Sequence, residues 1–367
     1  MRTLLLMLLL GALAASPQSR PRARDLGIAP GTMETGAQNA ITDVAGVKVG
    51  HVTVVQGDTI RTGVTAVLPH GGNLFQQKVA GAVFIGNAFG KLAGSTQVEE
   101  LGTIESPIVL TNTLSVGTAM EAVVRWTVAQ PGNESVRSVN GLVGETNDGG
   151  LNDIRGLHVT REHIQSAIAN AKEGAVEEGA VGAGTGTVAF GWKGGIGTSS
   201  RLVKQRDAQY TVGVLVQTNY GGKLVVSGVP VWKELNPRPS QLPAPSPQPL
   251  DSNPDDGSCM IVVATDAPLS ARDLKRLAAR AVYAMARTGS TFSNGSGDFA
   301  IAFSTKSLGQ VSMSTDAVSG LFEATMDATE EAIYNSMLKA TDTTGSGRTI
   351  RALPIEELKA VMKKYGR

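Results

Sequence analysis

Apolar and polar positions alternate in short runs along most of the chain, with turn-forming residues between the runs. Over 26–54, "LGIAPGTMETGAQNAITDVAGVKVGHVTV", brief β-prone stretches alternate with Gly, Pro and Asn, which predicts short strands. "GVTAVLPH" and "VAGAVFIGNAFG" read as further strands, and "ESPIVLTNTLSVGTAMEAVVRWTVAQ" as strand, loop and helix. From Val116 the apolar residues Ala119, Met120, Val123, Val124 and Val128 recur at helical spacing. "GLVGETNDGGLNDI" reads as a strand entering a glycine-rich loop, and "TREHIQSAIANAKEGAV" as a helix. "GAGTGTVAFGWKGGIGTSSRLV" and "QYTVGVLVQTNYG" read as paired strands with tight turns.

The pattern then breaks. Seven of the 16 prolines lie between Pro237 and Pro254. Such a segment cannot join a helix interior or a central strand, so 236–257 is expected to be an extended linker. Order resumes with "CMIVVATDA", a buried-strand pattern. Leu274, Leu277, Ala278, Ala281, Val282 and Met285 then mark one helix face, with Ser270 as N-cap. "DFAIAFST" is another strand, "DAVSGLFEATMDATEEAIYNSMLKA" another helix, and a short C-terminal helix follows. Strands alternate with helices on both sides of the linker. This predicts a layered α/β structure, one intertwined domain over 26–367.

Composition narrows the functional classes. Apolar residues make up 41% of 367 positions, enough for a large core. The net charge of +1 and the absence of a basic patch argue against a nucleic-acid partner. Aromatics at 4% leave few platforms for stacking single strands. Arg2 and the apolar run Leu4–Ala15 are followed by small residues around Ala14. The run is short for a membrane span, so 1–14 read as an export signal removed from a periplasmic or secreted protein. The mature protein is then expected to have no membrane segment. Cys259 is a lone cysteine and reads as a small buried residue rather than a nucleophile.

The joint between linker and strand carries the candidate chemistry. Gly257-Ser258 sets a hydroxyl at the mouth of a rigid strand. That hydroxyl could attack the preceding carbonyl, exchange amide for ester, and lose the ester to water. Glycine leaves the carbonyl open to attack. The new chain would begin with Ser258, which carries both a hydroxyl and a free α-amine. Such an amine titrates near ~7.7–8.0 and can serve as its own base. No histidine is then needed, and His51, His70, His158 and His163 fall in no triad or metal spacing. By spacing alone a Gly-Ser pair after a linker is more often a plain turn. "GAGTGTVAFG" fails as a phosphate loop, since Thr187 stands where a glycine is required. Neither metal nor cofactor is expected.

"ITDVAGVKVGHVTV", "TNTLSVGTAMEAVV", "GETNDGGLNDI", "GAGTGTVAFGWKGGIGTSSR", "VLVQTNYG", "DDGSCMIVVATDAPLS" and "NGSGDFAIAFST" occur in that order. Together they resemble the DmpA-type aminopeptidases, which include the β-peptidyl aminopeptidases. The resemblance implies a four-layer αββα sandwich like that of N-terminal-nucleophile hydrolases, with distinct strand connectivity. It implies cleavage between Gly257 and Ser258 into an α chain, 15–257, and a β chain, 258–367. The pairs would assemble as tetramers. Ser258 matches the family nucleophile. Ser296 and Asp298 match a serine–acid pair beside it, where some members carry Glu in place of Asp298. Asn219 matches an oxyanion-hole amide, and Glu145 the acid that holds the substrate's free amine. Asn112, Asn147 and Asp148 are further candidates for lining the pocket. The implied activity is release of N-terminal residues from short peptides, amides or esters. The alternatives are an ornithine-acetyltransferase-type enzyme on the same fold and an unprocessed periplasmic peptide-binding protein.

Overall fold

The computed structural model describes residues 20–205, 208–237, 257–310 and 313–367. The expected export signal and nearly all of the proline-rich linker lie outside them. The strands in chain order are β1 (Lys48–Gln56), β2 (Ile60–Leu68), β3 (Val79–Ala88), β4 (Leu92–Ala93), β5 (Thr103–Ile104), β6 (Ile108–Asn112) and β7 (Leu142–Thr146). They continue with β8 (Val188–Ala189), β9 (Trp192–Lys193), β10 (Gly195–Gln205), β11 (Ala208–Asn219), β12 (Ser258–Thr265), β13 (Gly297–Ser307), β14 (Thr343–Gly345) and β15 (Arg348–Ile350). The helices are α1 (Ser95–Leu101), α2 (Val116–Val128), α3 (Arg161–Ala169), α4 (Ala271–Thr288), α5 (Ser319–Leu338) and α6 (Ile355–Lys364).

Two sheets face each other. One runs β1-β2-β6-β7-β4 and the other β10-β11-β12-β13-β3-β5. Three apolar seams hold the layers. Val67, Ile108, Leu110 and Leu142 meet Leu215, Met260, Val262 and Phe303 between the sheets. Val109 and Val143 pack outward against Ala119, Val123, Ile164 and Ala167 of α2 and α3. On the opposite outer face, Val214, Val216, Ile261 and Val263 pack on Leu277, Ala281, Leu321 and Ala328 of α4 and α5. The result is the expected αββα sandwich.

β12 makes the layering visible in one strand. Cys259, Ile261 and Val263 point to the helical side, and Met260, Val262 and Ala264 to the facing sheet. That is the period-2 alternation of a strand, here apolar on both faces because both are covered. β12 lies between β11, antiparallel, and β13, parallel. The β12–β13 connection is α4, capped by the Ser270 hydroxyl, which accepts from Asp273 N at 3.2 Å.

Two local expectations differ. The segment before β1 forms short 3-10 turns and loops rather than strands. There the Asp43 carboxylate accepts from the backbone N–H groups of Gln38 and Ala40 at 2.9 and 3.0 Å. A side chain that takes up backbone donors offers an alternative to a ladder. α3 stops at Ala169, because Lys172 exchanges backbone hydrogen bonds of 3.0 and 3.1 Å with Val49 at the sheet edge.

Candidate active site

Ser258 opens β12 and is buried. The ladder sets Asn219, the last residue of β11, directly opposite it on one side. Gly297, the first residue of β13, is opposite on the other. Gly297 N–H donates to the Gly257 carbonyl at 2.9 Å, so the carbonyl preceding Ser258 carries a fixed donor. A Cβ on Gly297 would lie 3.1 Å from Ser258 Oγ and 2.7 Å from the Phe89 carbonyl. A Cβ on Gly257 would lie 2.1 Å from the Asn219 carbonyl. Glycine at both places follows from these close approaches.

Ser296 and Asp298 flank Gly297. Ser296 Oγ donates to Asp298 Oδ2 at 2.8 Å. Asp298 is fully buried, and its Oδ1 finds no hydrogen-bond donor among the described residues. Burial pushes its carboxyl up to about 6, against the opposing pull of the Ser296 hydroxyl and of the nearby Cys259 backbone N–H. The pair thus offers a hydroxyl tied to a carboxylate that titrates within a working pH range.

Asn219 is anchored at one end. Its Oδ1 accepts from Val188 N–H at 2.9 Å. Glu145 is the last residue but one of β7, with its carboxylate buried. Its Oε1 accepts from Lys91 N–H at 2.9 Å and sits 3.4 Å from Lys91 Nζ. A Cβ on Gly90 would stand 3.2 Å from Glu145 Oε1 and 3.4 Å from Gly297 Cα. Glu145 therefore belongs to the same neighbourhood as the Ser258 ladder, and it already recognises an ammonium.

The other candidates have different surroundings. Asn112 is buried and committed at both ends: Oδ1 caps Ser115 N–H at 3.1 Å and Nδ2 donates to Thr62 Oγ1 at 2.9 Å. Asn147 turns back on its own loop, accepting from Gly149 N–H. Asp148 is buried, accepts from Asn152 Nδ2 at 3.0 Å, and is pushed up to about 6 by that burial. Cys259 is fully buried and burial drives its thiol far up, which suits an inert core residue. The histidines are engaged elsewhere. His51 meets Thr65 and is driven down to about 4 by burial. His70 bonds the Gln77 carbonyl, His158 pairs with Asp153, and His163 caps Thr160 N–H.

Sequence reasoning did not single out Gly297, Lys91 or Lys193. Only Lys193 leaves a trace in the pattern, as a lone cation within the apolar and glycine-rich "FGWKGGIG".

Comparison with known proteins identifies the family and the fold. The model of peptidase family S58 matches residues 39–350. A β-peptidyl aminopeptidase of Sphingosinicella microcystinivorans is 45% identical over 98% of this chain and 96% of its own. A solved protein of Pyrococcus horikoshii is 45% identical with a TM-score of 0.86, covering 95% of this chain and 100% of that one. The L-aminopeptidase D-Ala-esterase/amidase of Ochrobactrum anthropi, a serine aminopeptidase with a variant of the Ntn-hydrolase fold, is 36% identical. Its TM-score is 0.83, over 95% of this chain and 99% of that one.

Proposed function

Because this chain belongs to peptidase family S58 and is a serine aminopeptidase, we propose that it matures by cutting its own Gly257–Ser258 bond and then uses the freed Ser258 as nucleophile. One observation carries the reading. Asn219 and Gly297 stand on either side of Ser258 in the ladder, and Gly297 N–H already holds the Gly257 carbonyl. The same donor would polarise that carbonyl during self-cleavage and steady the charge that develops on its oxygen.

In the mature enzyme, the Ser258 α-amine takes the proton of its own hydroxyl, or passes it through Ser296 to Asp298. The hydroxyl attacks the substrate carbonyl, and the Asn219 amide donates to the oxyanion. Collapse expels the leaving amine, or alcohol for an ester, as it takes up that proton, and forms an acyl-enzyme ester, which water hydrolyses to the free acid and Ser258. Glu145 binds the substrate's free ammonium in place of Lys91 Nζ, which limits cleavage to N-terminal residues. Substrates are short peptides, amino-acid amides or esters. Two relatives are named for β-peptidyl substrates and a solved neighbour for L- and D-residue chemistry, so a panel should include β-alanyl, L-alanyl and D-alanyl donors. The reading also has the protein exported and assembled as a tetramer of αβ pairs. Family membership and the aminopeptidase relatives decide against the acetyltransferase and binding-protein alternatives.

The test is mass spectrometry of purified protein beside the Ser258→Ala variant. Wild type should yield a fragment starting at Ser258, and the variant should yield neither fragment nor hydrolysis of aminoacyl p-nitroanilides. Hydrolysis surviving in the variant would remove Ser258 from this role.

A further inference from the structure

The glycine-rich segment around Lys193 has no part in the mechanism above, yet it carries a buried cation. We propose that Lys193 is a positioning residue: its ammonium fixes the Thr187–Val188 peptide, and that peptide orients the Asn219 amide for the oxyanion. The inference rests on the reading of Asn219 as oxyanion donor.

Lys193 is fully buried. Its Nζ donates to three carbonyls: Gly184 at 2.8 Å, Thr187 at 2.8 Å and Gly194 at 2.9 Å. All three ammonium protons are thereby used. Among the described residues no carboxylate lies within ion-pair distance of it, and burial pulls its pKa down to about 7 against the weaker opposing field of Asp148. A buried ammonium without a direct counter-ion is costly, so a merely structural fastener would be better served by a neutral donor.

The Thr187 carbonyl and the Val188 N–H belong to one peptide group. In a trans peptide the C=O and N–H bonds point in opposite directions, and their dipoles add. Lys193 holds the oxygen end, and the N–H end donates to Asn219 Oδ1 at 2.9 Å. The β8–β9 hairpin sets Val188 opposite Lys193, so the two ends are joined by the shortest connection available. A cation on the carbonyl also polarises the peptide and strengthens its N–H as a donor.

The consequence falls on a group with two unlike ends. A carboxamide presents an acceptor at Oδ1 and donors at Nδ2. An N–H donor at Val188 can face only Oδ1, so Nδ2 is turned away from the hairpin. Among the described residues Nδ2 has no hydrogen-bond partner, and Asn219 stands opposite Ser258. Without the anchored peptide the amide could turn over and present its oxygen to the oxyanion, replacing attraction by repulsion.

The test is a double-mutant cycle on kcat and KM with L-alanyl and β-alanyl p-nitroanilide, expressed per chain cut at Gly257–Ser258. Asn219→Ala should lower kcat by about 100- to 1000-fold, the usual loss for one oxyanion donor. Lys193→Met should lower kcat by about tenfold or more, bounded by that value, with KM little changed. The double variant should fall no further than Asn219→Ala alone, to within about twofold. If an altered chain is not cut, the same cycle is read on the self-cleavage rate. If Lys193→Met does not fold by near-UV circular dichroism, Lys193→Gln, which keeps two N–H donors, carries the cycle. Wild-type kcat in a folded Lys193 variant, or losses that multiply in the double variant, would overturn the inference. A normal kcat in Asn219→Ala would instead strike the oxyanion reading itself, and the role of Lys193 with it.

Discussion

Asp298 is the residue whose surroundings most constrain the pH behaviour of the site. It is buried with one oxygen bonded by Ser296 and the other without a donor. Burial raises its pKa to about 6 from an ordinary carboxylate value. The folded state therefore binds this proton more tightly than the unfolded chain does. Its ionised form costs stability above about 6, and that cost is relieved as pH falls toward the unfolded value. Activity should run the other way, because only the carboxylate accepts freely from Ser296. The kcat of the wild type should fall as pH drops through about 6. Asp298→Asn should lose that inflection and run at least about tenfold slower at alkaline pH, without loss of thermal stability. A pH–rate profile from acid to alkaline pH decides it, and an unchanged acid limb in the variant would exclude Asp298. Ser258, Ser296 and Asp298 were legible as types in motifs. That burial raises the Asp298 carboxyl was not, because it depends on what packs around it.

At the scale of elements, helix α5 and strand β10 meet through glycine. A Cβ on Gly197 would lie 1.9 Å from the Ala332 carbonyl and 2.6 Å from Ser336 N. The two backbones approach so closely that no side chain fits between them. Gly197→Ala should destabilise the protein by about 1–3 kcal/mol or more, as overpacking does, and lower its melting temperature by several degrees. A melting curve matching wild type would show that α5 shifts at no cost. The same scale explains what the pattern predicted well. α2 and α4 have apolar faces on helical spacing, α5 is buried on all sides from Asp327 to Leu338, and β12 and β13 are short apolar runs between turns. The stretch before β1 misled because its Asp43 binds backbone donors, a local choice that periodicity does not register.

At the scale of the whole molecule, scission at Gly257–Ser258 would cut the six-stranded sheet's chain without cutting the sheet. β12 would belong to the 258–367 piece but stays paired with β11 of the other piece, from Asn219↔Ser258 to Val212↔Thr265. Its faces also fill two of the three apolar seams. Separating the pieces would expose both seams, so they should remain together. Size-exclusion chromatography should give one species that resolves into two bands only in denaturant. Fragments that part under native conditions while activity persists would contradict this.

Periodicity, the proline-rich interruption and the ordered motifs determined from sequence alone that strands and helices alternate through one layered α/β domain, and that Ser258 stands at the head of a buried strand. These are local properties, carried by neighbouring residues and their spacing. The tertiary structure decided which atoms face Ser258: Asn219 across one strand, the Gly297 N–H across the other, and Lys193 behind the peptide that turns the Asn219 amide. Those relations depend on hydrogen-bond register and on where a buried charge finds its carbonyls. Both are set by segments distant along the chain packing together, which no local pattern encodes.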